Sequence, residues 1–316
     1  TIILITHKLD EVAEISDMIT VVRAGRTVAR FPTAGTSPAS IAHAMVGRDV
    51  VLAGDVLHEP SPVAASDAVR APVLEVRNLV VAGERNARAV DDVSFVVHPH
   101  EILGIAGVEG NGQSALLEAI AGLRRAQSGE IRIAGTDVSA MRVSERESRG
   151  LAHIPEDRHR RGLVLDFSIA DNLILGRQRA YERGGMLDRG RILADARAAI
   201  DVADIRPADP MLPARALSGG NQQKIVIARA LARQNLVLLA AQPTRGVDVG
   251  AIELIHARLR AARDAGTGVL LVSAELSEIL ALSDRVAVMY GGKIVAIVPR
   301  AEASEASLGP LMTGAS

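Results

Sequence analysis

The chain alternates between short apolar runs and longer stretches in which apolar residues recur every three or four positions. VLEVRNLVV and AVDDVSFVV, near residues 73–97, alternate and are β-branched, so they predict strands. EILGIAG predicts a short buried strand running into a glycine turn, and GEIRIAG another strand. SALLEAIAGL, after that turn, has the i, i+3, i+4 spacing of a helix. Residues 185–205 are Ala- and Arg-rich and read as helical. LVLLAA and GVLLVS are apolar throughout, as in strands of a parallel sheet covered on both faces. The order predicts an α/β protein.

The apolar pattern also repeats. Residues 1–47 align without gaps to residues 268–314, an offset of 267. Identities include Leu4/Leu271, Glu11/Glu278, Ser16/Ser283, Asp17/Asp284, Gly25/Gly292 and Gly47/Gly314. A shared fold accounts for this register better than two unrelated strand–helix–strand units. Residues 1–54 are therefore expected to be the C-terminal remnant of a first domain. Residues 55–72, rich in Pro, Ala and Ser without hydrophobic period, read as a linker. Residues 73–303 form a complete second domain, followed by a tail at 304–316. Thr1 opens inside the apolar run TIILIT. The expectation is a fragment lacking roughly 200 residues of the first domain.

Composition narrows the classes. The 316 residues are 48% hydrophobic, enough for one large or two small cores. The formal net charge of -1 shows no basic bias towards nucleic acid. Without cysteine, disulfides and thiolate metal sites are ruled out, which fits a reducing compartment. No apolar run reaches the roughly 18 residues of a membrane span. Aromatic residues are only 2%, so the core is aliphatic.

Three segments carry candidate chemistry. Gly107, Val108, Glu109, Gly110, Asn111, Gly112, Gln113 and Ser114 follow a strand and open a helix, the context of a phosphate-binding loop. Gln113 stands where such a loop has Lys and brings no charge, while Ser114 is placed to reach Mg2+. Without a ligand the same residues make an ordinary tight turn. Leu217, Ser218, Gly219, Gly220, Asn221 and Gln222 precede a helix that Ser218 can cap, with bare backbone suited to an anion. Downstream, the apolar strand LVLLAAQPTRGVD ends in Ala241 and Gln242 and continues to Asp248.

Together these segments resemble an ATP-binding cassette protein. LSGGNQQK resembles its signature motif, GVEGNGQS its Walker A loop, and LVLLAAQPTRGVD its Walker B strand and D-loop. Glu156 in HIPEDR stands in the place of the Q-loop glutamine, and the pattern covers residues 73–298. The tandem layout resembles the simple-sugar and nucleoside importer ATPases, closest to the nucleoside branch. The resemblance implies a P-loop fold: a parallel core sheet, an antiparallel β subdomain and a helical subdomain around 165–216. It implies ATP and Mg2+ as cofactors, two transmembrane permease subunits and indirectly a substrate-binding lipoprotein as partners, no nucleic acid, and a peripheral place on the cytoplasmic face of the membrane.

Departures from the family pattern fall in one site. Ala241 and Gln242 replace the Asp-Glu pair of Walker B, and Ala274 replaces the switch histidine that the first repeat keeps as His7. A general base contributes about 10²–10⁴-fold, so this site is expected not to hydrolyse. The stretch NLVVAGERNARAV lacks an adenine-stacking aromatic. Because the family pairs its domains head to tail, Ser218, Gly219 and Gly220 are expected to complete the first domain's site. Asp248 reads as a D-loop residue or as a turn cap, and His153, His159 and the run 156–161 as contacts to nucleotide or a membrane partner or, Glu156 apart, as a solvated charged loop. Rival readings are a non-hydrolysing regulatory nucleotide-binding domain and a soluble cassette ATPase outside transport.

Overall fold

The computed structural model describes residues 2–6, 9–23, 25–47, 71–83 and 88–314. His7 and residues 55–70 of the expected linker lie outside them.

The N-terminal segment contains α1 (Leu9–Ile15), β1 (Met18–Arg23), β2 (Arg26–Pro32) and α2 (Pro38–Val46). Next come β3 (Leu74–Val81), β4 (Val90–Val97), β5 (Ile102–Ala106), α3 (Gln113–Ala121), β6 (Ser128–Ile133) and β7 (Thr136–Asp137). After α4 (Val143–Ser148) and β8 (Leu151–Ile154), a π-helical turn spans Arg158–Gly162. The helical region holds α5 (Ile169–Leu173), the small strands β9 (Glu182–Arg183) and β10 (Met186–Leu187), and α6 (Arg189–Val202). The chain closes with α7 (Gly219–Ala230), β11 (Val237–Ala241), α8 (Val249–Asp264), β12 (Gly268–Val272), α9 (Leu276–Leu282), β13 (Arg285–Tyr290), β14 (Lys293–Pro299) and α10 (Glu305–Thr313).

The main sheet has the order β14-β13-β5-β12-β11-β8. All its neighbours are parallel except the β13–β14 pair. An antiparallel edge strand thus modifies the expected parallel sheet, because a tight turn at Gly291 and Gly292 joins β13 to β14. β5, β11 and β12 are buried at every residue, as their continuous apolar sequences require. A second sheet, β4-β3-β6-β7, is antiparallel and shares one aliphatic core with α3 and one face of the main sheet. The other face packs against α7, α8 and the helical region. The β9–β10 hairpin inside that region was not expected from the sequence.

The repeat is visible element by element. α1, β1, β2 and α2 correspond to α9, β13, β14 and α10 with no change of boundary at the common offset. The register shift after Val21 recurs after Val288. Ser37 and Ser304 cap the paired helices, and Gly47 and Gly314 end them in left-handed backbone. Within the expected tail, Glu305–Thr313 form a capped helix, because Leu308, Leu311 and Met312 find the apolar core. The copies diverge at their first segment. Gly268–Val272 is a central strand, whereas Ile2, Ile3 and Ile5 form no strand and are 96%, 86% and 94% exposed.

Candidate functional site

The loop between β5 and α3 is set by steric demands on two glycines. Gly112 has φ 107°, and a β-carbon there would stand 2.1 Å from the Ala89 carbonyl oxygen. A β-carbon on Gly107 would lie 2.5 Å from the Met289 carbonyl oxygen. The loop is thus pressed against the β4 and β13 ends, and only glycine fits. Asn111 fastens it further: its Oδ1 accepts from the Gly291 N–H at 2.8 Å, and its Nδ2 donates to the Val108 carbonyl at 3.1 Å. Leu116 N donates to the Gly112 carbonyl at 2.9 Å, so the N–H groups of the first helical residues precede the internal ladder and are available to an anion.

Gln113, at the first position of α3, is buried. Its Nε2 donates to the Val108 carbonyl at 3.1 Å, so the amide closes the loop upon itself. Ser114 is exposed and donates to Glu156 Oε2 at 2.7 Å. Glu156 Oε1 accepts from Arg245 Nη1 at 2.9 Å. Gln242, in left-handed backbone at φ 47°, accepts the Ala274 N–H on its Oε1 at 3.0 Å. Ala241 ends β11 directly below.

These residues meet. Gly107, Gly110, Gln113, Ser114, Glu156, Ala241, Gln242 and Ala274 line one cavity of about 20 Å³. Ser114, Glu156 and Ala241 also line a second cavity of about 260 Å³ with Arg245 on its wall. The loop's geometry fits a phosphate. Towards Mg2+ the engaged groups offer little, since Ser114 and Glu156 are bonded to each other, Arg245 holds the second carboxylate oxygen and Ala241 brings no carboxylate, which leaves Glu109 as the lining carboxylate outside this network.

The second loop lies apart from this cavity. Ser218 is exposed and caps α7, its Oγ accepting from Asn221 N at 3.5 Å and Asn221 Nδ2 at 3.0 Å. Gly219 leaves room for Arg158, whose Nη2 would be 2.7 Å from a β-carbon there, and Arg158 Nη1 donates to the Arg245 carbonyl at 2.8 Å. Gly220 faces Asp248, which caps α8 by accepting from Ala251 N at 2.9 Å. Leu217 and Gln222 point inward. The Gln222 amide nitrogen donates to the Ala214 and Leu217 carbonyls at 3.1 and 3.3 Å, and its Oε1 meets His159 Nε2 at 2.8 Å. Gln222 therefore braces the loop from inside and offers nothing outward.

Two histidines differ from the expected solvated loop. His159 is tied to Gln222. His153 sits at the end of β8 in the wall of the larger cavities, where burial first and the Arg161 charge second hold its pKa down to about 4. Arg245 was missed as a site residue in the sequence. Arg245 falls inside the TRGVD segment, but its partner Glu156 is 89 residues away.

A phosphate cradle followed by a serine-capped glycine turn, on one parallel sheet, can be compared with known proteins. The family model described as ABC transporter matches residues 90–245. The chain belongs to the ABC transporter ATP-binding family. A nucleoside import ATP-binding protein of Lactococcus lactis is 41% identical over 318 residues, covering 99% of this chain and 61% of that relative. A guanosine import ATP-binding protein of Bacillus subtilis is 44% identical over 302 residues, covering 95% and 58%. A ribose import ATP-binding protein of Rubrobacter xylanophilus is 39% identical over 316 residues, covering 100% and 60%. The chain thus spans about three fifths of the length of these curated relatives.

Among solved structures, an ATP-binding cassette of an ABC transporter superposes with TM-score 0.66 at 20% identity, covering 78% of this chain and 98% of that one. A dimeric cassette in a post-hydrolysis state, bound to ADP and phosphate, gives 0.63 at 22% identity, covering 72% and 98%. These likenesses establish the ABC fold. Among the described residues no helix is long and apolar enough to cross a membrane.

Proposed function

We propose that this chain is part of the ATPase subunit of an importer of nucleosides or simple sugars, and that its own phosphate site does not hydrolyse ATP. Residues 1–54 are the end of a first nucleotide-binding domain, 55–72 a linker, and 73–303 the second domain. The second domain lends Ser218, Gly219 and Gly220 to the first domain's site, where His7 is the switch histidine. Nucleoside import is favoured over sugar import by the 41% and 44% identities to the nucleoside and guanosine import proteins.

One observation carries the reading. The four positions that would supply charge and base to phosphoryl transfer hold Gln113, Ala241, Gln242 and Ala274, and the two most central to water activation are bonded to each other. Phosphoryl transfer depends on placed charge, and none of these side chains carries any. The signature turn, in contrast, is capped, braced by Gln222 and exposed at Ser218.

Permease subunits are the implied partners, reached from the cytoplasmic face of the membrane. We assign their contact to the groove of about 380 Å³ between β8, the 160–164 turn and α7, beside the Glu156 loop. Measuring ATP hydrolysis by this chain and by the complete protein tests the proposal. Turnover is expected from the complete protein only.

A further inference from the structure

We propose that Arg245 is the phosphate-binding cation of the second site, held in reserve by Glu156. The inference rests on reading residues 107–114 as a loop that still receives a nucleotide.

The loop's own side chains give a phosphate little. Gln113 has no charge, and its Nε2 is spent on the Val108 carbonyl. Backbone N–H groups supply partial charge only. A triphosphate lying here needs a cation, and Glu109 on the loop's exposed rim makes that need greater.

The cations near Ser114 can be sorted by what they hold. Arg161 is paired with Glu118 at 2.6 Å. Arg158 donates to the Arg245 carbonyl and lies against Gly219, in the other loop. Arg160 lines the larger cavity but is shared with the neighbouring groove. Arg245 alone among these four is linked to the phosphate loop, through one carboxylate.

Glu156 therefore acts as a surrogate anion. It sits at the N-terminal end of α3, accepts the Ser114 hydroxyl at 2.7 Å and takes the Arg245 guanidinium at 2.9 Å. A carboxylate and a phosphate oxygen ask for the same donors at a helix start. An incoming phosphate that displaces Glu156 inherits both. The pair is easily opened, because the Arg245 side chain is 58% exposed and exposed ion pairs are weak. Arg245 lies only three residues after Gln242 at the end of β11, so a change of rotamer is enough to turn it from carboxylate to phosphate.

The test is ATP affinity of this chain by titration calorimetry. Wild type is expected to bind. Arg245→Ala should weaken ATP about tenfold or more, Arg245→Lys should recover part of the loss, and Glu156→Gln should tighten ATP by about tenfold because the competing anion is gone. Arg160→Ala should stay within about twofold. Unchanged thermal midpoints will show that the variants are folded. Binding by Arg245→Ala equal to or tighter than wild type would make Arg245 a mere partner of Glu156 and overturn the proposal, while leaving the nucleotide site intact. No ATP binding by wild type or Glu156→Gln would remove the nucleotide reading of the loop, and the proposal with it.

Discussion

Gln242 Oε1 accepts a hydrogen bond from the Ala274 amide at 3.0 Å. These are the positions where the family resemblance places a catalytic glutamate and a switch histidine. Here they tie the end of β11 to the turn after β12, so the residue that would polarise water serves as a strut. Gln242→Ala is accordingly expected to change the steady-state hydrolysis of the complete protein by less than about threefold, against the 10²–10⁴-fold typical of losing a general base. A larger loss would restore a chemical role to Gln242.

Gly112 and Gly110 provide a paired test of the loop. Both have positive φ, but a β-carbon at Gly112 collides with the Ala89 carbonyl while one at Gly110 meets nothing within 4 Å. Gly112→Ala should destabilise the domain by about 2–4 kcal/mol and Gly110→Ala by only about 1–2 kcal/mol, read from urea midpoints. Equal costs would mean that the loop can move away from β4.

The pattern of elements was legible because aliphatic runs and periodicity are local. The phosphate loop and LSGGNQQK could be placed for the same reason: each is one contiguous turn entering a helix. The internal repeat even predicted the elements of α1–α2 from those of α9–α10. What could not be read were contacts made across distance in sequence. Arg245 meets Glu156 only because the segments following β11 and β8 leave adjacent parallel strands side by side. Gln222 looked like part of an exposed motif, but its place on α7 turns it inward under the loop. The tail became α10 because its three apolar residues match a surface that only the folded sheet creates.

His153 predicts a pH dependence. Its pKa falls from 6.5 to about 4 in the folded chain, chiefly through burial. The unfolded state then binds more protons between these values, so stability rises with pH across that window. The contribution is complete above pH 6.5 and is lost as pH falls towards 4. The loss should amount to about 2–4 kcal/mol. His153→Gln should flatten the dependence of the urea midpoint on pH within this interval. An unchanged slope would show that His153 is not the group responsible.

Arg146 supports the site from behind. Its buried guanidinium donates to the Ala119 and Ile120 carbonyls at 2.6 and 2.7 Å and to Ser139 and Met141 at 2.8 and 3.0 Å, closing the C-terminal end of α3. A lysine cannot span four carbonyls in a plane. Arg146→Lys should therefore cost about 2–3 kcal/mol in a denaturant titration. A cost below 0.5 kcal/mol would mean that α3 is held by its apolar face alone.

The central claim is a division of labour: the signature turn of this domain serves another site, and its own phosphate loop does not turn over. The most direct measurement is ATP hydrolysis by the complete protein carrying either Ser218→Arg or Gln113→Ala. Ser218 is exposed at the start of α7, where an arginine would block the approach of a second domain and its nucleotide, whereas Gln113 only closes its own loop. The account predicts loss of nearly all hydrolysis for Ser218→Arg and a mild change, within about threefold, for Gln113→Ala. Hydrolysis that survives Ser218→Arg and collapses with Gln113→Ala would contradict it and place the chemistry in the second site.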